Sequence, residues 1–112
     1  MNYFRPAQEP LKVSMLEEAV MIAMYKKARY GLEIIEMVSF ASNGCMDINY
    51  GSLYPLLKRL KRKGLLVATE ISEDVTIRGG HSRKYYKLTS LGKLALSQTE
   101  QLRSNLREWK EE

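Results

Sequence analysis

The chain has 112 residues and a formal net charge of +5, enough for one domain with a single modest core and too short for a second catalytic lobe. Its 45% hydrophobic and 28% charged content is that of a globular protein, with no apolar run near the roughly 20 residues of a membrane span and no signal-peptide pattern. The one cysteine, Cys45, forms no internal disulfide and points to the cytoplasm, while a pI near 9.4 favours an acidic partner, nucleic acid first.

Residues 1–13 carry Pro6 and Pro10, no period and few anchors, so an extended arm ordered by a partner is expected there, with no chemistry of its own. Ser14 followed by Glu17 forms a capping box, which starts a helix predicted to run to about Ala28. Leu16, Ala19, Val20, Ile22, Ala23 and Met24 make it apolar round most of its circumference, as in a central core helix. Tyr30-Gly31 breaks it from a second helix over 32–40, whose Ile34, Ile35, Met37 and Val38 turn inward while Glu33 and Glu36 point outward. Ser42-Asn43-Gly44 ends that helix. A third follows Asp47-Ile48, with Asn49 as N-cap and Gly64 as a left-handed stop. This is the order of a helix-turn-helix.

On a helical wheel, Leu53, Leu56, Leu57 and Leu60 of the third helix share one narrow sector, and Gly51, Pro55, Lys58 and Arg62 lie opposite. Pro55 is expected in about the first turn, where a missing amide costs least. Two strands rich in β-branched and aromatic residues follow, over 65–71 and 83–88, joined by the loop SEDVTIRGGHS. Tyr85 and Tyr86 alternate faces, so one of them is expected under the hairpin. Thr89 or Ser90 caps a last helix predicted to reach Glu112, about 34 Å long and longer than this domain needs for its own core. Leu91, Ala95, Gln98, Leu102, Leu106 and Trp109 form one stripe on it, and the same helix of a second subunit is the simplest partner. Folding back on its own domain is the competing arrangement.

These elements predict an α+β fold, mostly α: a winged helix-turn-helix over 14–89 with a two-stranded wing, an arm over 1–13, and a long C-terminal dimerisation helix over 90–112. Charge follows the same map. Between Asn49 and Lys93 there are ten Lys and Arg against three acidic residues, and the remainder of the chain has more acidic than basic ones. Positive charge gathered on one helix and hairpin is the footprint of a phosphate-binding surface. Asn49, Tyr50, Gly51, Ser52 and Tyr54, in the first turn of the third helix, are the candidate base readers, Gly51 letting the backbone approach the duplex. Lys58, Arg59 and Arg62 further along, and Arg78, His81, Ser82, Arg83 and Lys84 around the Gly79-Gly80 tip, are the candidate phosphate contacts. Catalysis has little support: His81 stands alone in a loop, no Cys/His cluster suggests a metal, and Gly79-Gly80 precedes no helix as a phosphate loop would. No enzyme activity and no cofactor are expected.

With these residues in hand, the chain resembles the PadR family of bacterial transcriptional regulators over nearly everything after Val13. Tyr30-Gly31-Leu32-Glu33-Ile34 approximates the opening of the family's second helix, with the aromatic residue before the glycine rather than after it. Gly51-Ser52-Leu53-Tyr54-Pro55, then Leu57, Leu60 and Gly64-Leu65, match its recognition-helix signature. Gly79-Gly80, Arg83-Lys84-Tyr85-Tyr86, Leu88-Thr89 and Gly92 match its wing. The resemblance implies a dimeric winged-helix repressor with two recognition helices in successive major grooves of a near-palindromic site. The single C-terminal helix is similar to that of the smaller members, among them a modifier of the cyanobacterial circadian period, and a clock gene is one target the resemblance implies. Many members bind a small effector near the dimer interface. Here only Trp109 and scattered Met residues hint at one, and core packing explains those more simply. The alternative reading is a winged helix that docks another protein and does not bind DNA. Neutral replacement of Arg83 and Lys84 separates the two, because a dimer that stays intact but no longer retains DNA supports regulation.

Overall fold

The computed structural model describes residues 12–72 and 82–111, so most of the expected arm and the wing tip with Arg78, Gly79-Gly80 and His81 lie outside the described residues. Ser14 opens the first helix as its sequence requires. Its hydroxyl accepts the Glu17 amide at 3.1 Å, and its own amide donates to the Glu17 carboxylate at 2.9 Å. Helix α1 then spans Met15–Ala23, five residues short of the predicted end. The tertiary fold stops it: Met24 and Tyr25 bond back to Met21 and Ile22 in a tight last turn. Arg29 Nε donates to the Ala23 carbonyl at 3.1 Å, satisfying an oxygen that a further helical turn would have used. Val20, Met21, Ala23 and Met24 are buried while Ile22 remains exposed, so α1 is covered on several sides but not on all. Val13, assigned to the arm, packs against the core.

Arg29–Tyr30 form a short strand, β1, which the sequence does not suggest. Helix α2 spans Gly31–Ala41. Glu33, expected to face outward, folds back to accept the Tyr30 amide at 3.1 Å. The helix ends where Asn43 and Gly44 adopt φ of 55° and 83°, with the Gly44 amide on the Ser39 carbonyl at 2.8 Å, a left-handed stop of the expected kind.

Helix α3 spans Tyr50–Arg62. Its Leu53, Leu56, Leu57 and Leu60 are buried together with Ile34, Val38 and Ile48, so its apolar sector packs against α1 and α2 as the wheel requires. Gly64, at φ of 80°, turns the chain into β2, Leu66–Ser72, which pairs antiparallel with β3, Ser82–Leu88. The order β1-β3-β2 makes a three-stranded sheet: the two-stranded wing plus β1 on its outer edge. In the register Ala68, a small residue, stands opposite the buried Tyr86, and Leu66 stands opposite Leu88. Burial pushes the Tyr86 phenol above its ordinary range, with nearby Tyr54 adding to the effect.

Thr89 locks the junction to the last helix. Its hydroxyl donates to the Gly64 carbonyl at 2.7 Å and accepts the Gly92 amide at 3.0 Å, while its own amide donates to the Leu65 carbonyl at 3.1 Å. Helix α4 spans Ser90–Arg107, about 27 Å by its rise per residue. It stops short of Glu112 because Glu108 and Trp109 bond back to Ser104 and Leu106 in a closing turn. Near its start Gly92, Ala95 and Leu96 are buried in the common core. Further along, Arg103 holds the buried Glu18 of α1 through two nitrogens, at 2.9 and 2.6 Å. Beyond that pair the helix has left its own domain.

Candidate nucleic-acid interface

Asn49 starts α3 through its side chain, whose oxygen accepts both the Ser52 amide at 2.9 Å and the Ser52 hydroxyl at 3.2 Å. Such a cap stabilises a helix by about 1 kcal/mol. It also fixes two of the expected base readers against each other. The Asn49 amide nitrogen, which the cap does not use, and the two lone pairs of the Ser52 oxygen, whose hydrogen goes to Asn49, are the groups left for a base edge. Gly51, Pro55, Lys58 and Arg62 are all exposed and, spaced at four, three and four residues, run as one stripe down the outer side. Pro55 lies in the second turn rather than the first. It has no amide to offer the Gly51 carbonyl, which therefore lacks its ordinary helical donor on the outer side.

Two expected readers are placed differently. Tyr50 and Tyr54 stack with ring centroids 5.6 Å apart and planes 7° from parallel, and together they lie over Gly31 at the start of α2, with the Tyr54 hydroxyl end nearest to it. Their rings join α2 to α3 and border the outer stripe from one side, while both stay close to half exposed. Arg59 is tied back to α1 at one nitrogen, although its side chain stays about half exposed. Its Nε donates to the Glu17 carboxylate at 3.2 Å, and Lys63 Nζ is 3.9 Å from the same oxygen. Lys58 and Arg62 stay on the outer face, where they are joined by Lys61, a cation the helical wheel does not single out because it stands at the stripe's edge.

In the wing, Arg83 lies 4.2 Å above the Tyr30 ring, and Tyr85 meets the same ring edge-on at 5.4 Å. Lys84 is exposed. Ser82 lies in β3 opposite Ser72. Tyr30 thus aims a wing cation while its backbone begins α2. Sequence reasoning reads it as a helix break and as part of the opening of the second helix, with nothing to tie it to the wing. Among the described residues no group of three or more His, Cys, Asp or Glu could hold a metal ion, and no helix is long and apolar enough to cross a membrane.

The expected dimerisation stripe divides. Ala95 is fully buried in the chain's own core, because a small side chain there lets α4 approach the rest of the domain. Leu91 is half-exposed and Gln98 exposed. Leu102, Leu106 and Trp109, at 56, 62 and 70% exposure, form an apolar seam with no cover from the described chain.

Burial raises the Glu17 carboxyl, but the Ser14 amide and the cations of Arg59 and Lys63 outweigh it and hold the group below its ordinary value of 4.5. A carboxyl with a lowered folded-state pKa binds fewer protons folded than unfolded. Its stabilisation is therefore complete above pH 4.5 and is lost as the pH falls through the lowered value. Melting curves of the parent and of Glu17→Gln should accordingly lie apart near neutrality and converge below pH 4.5. A separation that does not change with pH would mean that the carboxylate contributes nothing through its charge.

A family model described as the transcriptional regulator PadR-like family matches residues 20–98. The chain is 34% identical over 96 residues to an uncharacterised protein of Lysinibacillus sphaericus, covering 86% of this chain and 79% of that one. The structure of a PadR-like transcription factor from Bacteroides fragilis superposes with a TM-score of 0.71 at 35% identity, over 84% of each chain. Bacillus subtilis PadR, solved in complex with operator DNA, shares the fold, with a TM-score of 0.65 at 21% identity over 76% of this chain and 46% of that one. None of these relatives connects the chain to circadian regulation, and that expectation is set aside.

Proposed function

The chain belongs to the PadR-like family of transcriptional regulators, and from that premise we propose that it is a homodimeric repressor that places α3 in the major groove of a near-palindromic operator. The observation that carries this reading is the outer stripe of α3. Gly51 and Pro55 at its start, and Lys58 and Arg62 at its end, give one exposed face that is low in bulk where bases would be and cationic where phosphates would be. Arg83 and Lys84 of the wing extend the cationic surface toward the adjacent groove. In this reading 14–89, with Val13 packed on it, forms the reader, and 90–112 forms the dimer.

Phosphate contacts are independent of sequence. Lys58→Ala and Arg62→Ala are thus expected to weaken binding to matched and scrambled duplexes equally, each lowering the slope of log affinity against log salt by about one. Base preference should survive in both. An unchanged slope in both variants would remove the outer face of α3 from the interface and with it this reading.

The second copy is argued from α4. Leu102, Leu106 and Trp109 present apolar surface beyond the chain's own domain, and Ile22 and Met37 line an open apolar groove of about 320 Å³ between α1 and α2. A two-fold partner would cover both. Deleting residues 102–112 should give monomers in sedimentation at micromolar concentration. A parent protein already monomeric there would contradict the two-fold arrangement.

A further inference from the structure

Arg59 stands beside Lys58 on the helix proposed to meet DNA, yet its guanidinium is turned back to α1, with Nε 3.2 Å from Glu17 Oε2. Glu17 is only 5% exposed, and its other oxygen is fixed by the Ser14 amide at 2.9 Å. Lys63, at the C-cap of the same helix, is 3.9 Å from Oε2. A single buried carboxylate therefore draws on two of the cations that α3 carries to its end. Counted as charge alone, an acidic group under a DNA-facing helix lowers affinity for any duplex. Its effect on discrimination has the opposite sign. Phosphate contacts add equally to target and random DNA, so a cation withheld from phosphate removes affinity that carries no sequence information. The same pair ties the last turn of α3 to α1, which sets the angle at which Asn49, Gly51 and Ser52 meet the base edges.

We propose that Glu17 is a positioning residue for specificity that acts through Arg59, withholding this guanidinium from the DNA backbone and anchoring the recognition helix to α1. The proposal rests on the reading of α3 as the DNA-facing helix. Glu17→Gln keeps the side chain's size and the oxygen that accepts the Ser14 amide while removing the charge that holds Arg59.

The test is affinity for random and target duplexes, the target selected from random duplex DNA with the parent protein, across a salt series. In Glu17→Gln the slope on random DNA should steepen by about 0.9 for each phosphate contact released, random-duplex affinity at low salt should rise several-fold, and the target-to-random ratio should fall. Arg59→Gln in the parent background should leave the random-DNA slope unchanged, and the double variant should return the slope of Glu17→Gln toward the parent's. Arg59→Gln retains the buried carboxylate with Lys63 and Ser14, so its slope is readable even if Glu17→Gln folds poorly. A slope lowered by about one in Arg59→Gln would show that Arg59 does contact phosphate, and an unaltered slope in a folded Glu17→Gln would show that nothing was withheld. Either result overturns the assignment while leaving α3 in the groove. A parent protein with no affinity for duplex DNA overturns both the assignment and the reading beneath it.

Discussion

Gly92→Ala is expected to unfold the chain or to destabilise it by more than about 3 kcal/mol, well above the ordinary cost of a single methyl group. A Cβ at this position would overlap the Leu65 carbonyl oxygen, far inside van der Waals contact, and lie 3.2 Å from Leu88 Cδ2. Neither neighbour can retreat easily. The Leu65 carbonyl accepts the Thr89 amide at 3.1 Å, the Leu65 amide donates to the Leu60 carbonyl at 3.0 Å, and both Leu65 and Leu88 are buried. The close approach lets α4 lie directly on the turn between α3 and β2, so a methyl group there would pry the last helix from the recognition helix. Urea unfolding of the parent and variant is the check. Gly44→Ala provides the contrast: it has an unfavourable φ of 83° but open space around it, and should cost only about 1 to 2 kcal/mol. A Gly92→Ala stability within about 1 kcal/mol of the parent's would mean that α4 does not pack as described.

The starts of the helices are legible in the sequence because the chemistry that sets them is local. Ser14, Asn49 and Thr89 each offer a side-chain oxygen to an amide three residues on, and a reader of the sequence needs nothing else to find them. The end of α1 is not legible. It depends on Arg29 reaching Ala23 and on β1 pairing with Tyr85 and Tyr86, more than fifty residues away, so an apolar period running to Ala28 gives no warning. Helix α4 similarly keeps its period past the point where Glu108 closes it.

The candidate site divides along the same line. Periodicity places Gly51, Pro55, Lys58 and Arg62 on one face because the Leu residues of α3 define the other, and both faces follow from positions within thirteen residues. Arg59 groups with the phosphate contacts when seen from its own helix alone, where it is a neighbour of Lys58. Its partner Glu17 is 42 residues upstream and is fully explained there as a capping residue, so nothing in the sequence suggests a second role. The same holds for Tyr54, whose ring is turned onto Gly31 of another helix, and for Ala95, whose place on an apolar stripe does not distinguish the chain's own core from a second subunit.

Gly51→Leu carries the largest expected change in function at no cost to the fold. Gly51 is on the outer face, and a Cβ built there meets only the Asn49 side-chain oxygen at 3.2 Å, which need shift by only a few tenths of an ångström and can keep its cap on Ser52 while doing so. Leucine is the better helix former by roughly 0.5 to 1 kcal/mol, so stability should be unchanged or slightly raised. In the groove, however, a leucine side chain would hold the backbone away from the bases just where Asn49 and Ser52 must reach them. Each base that goes unread reduces discrimination by about 1 to 3 kcal/mol, whereas the phosphate contacts of Lys58 and Arg62, further along the helix, are less disturbed. The measurement is the ratio of target to random-duplex affinity for Gly51→Leu beside its melting curve. With α3 in the major groove, the ratio falls to near one while the melting temperature holds; a folded variant that keeps the parent's ratio would show that this face of α3 does not read DNA.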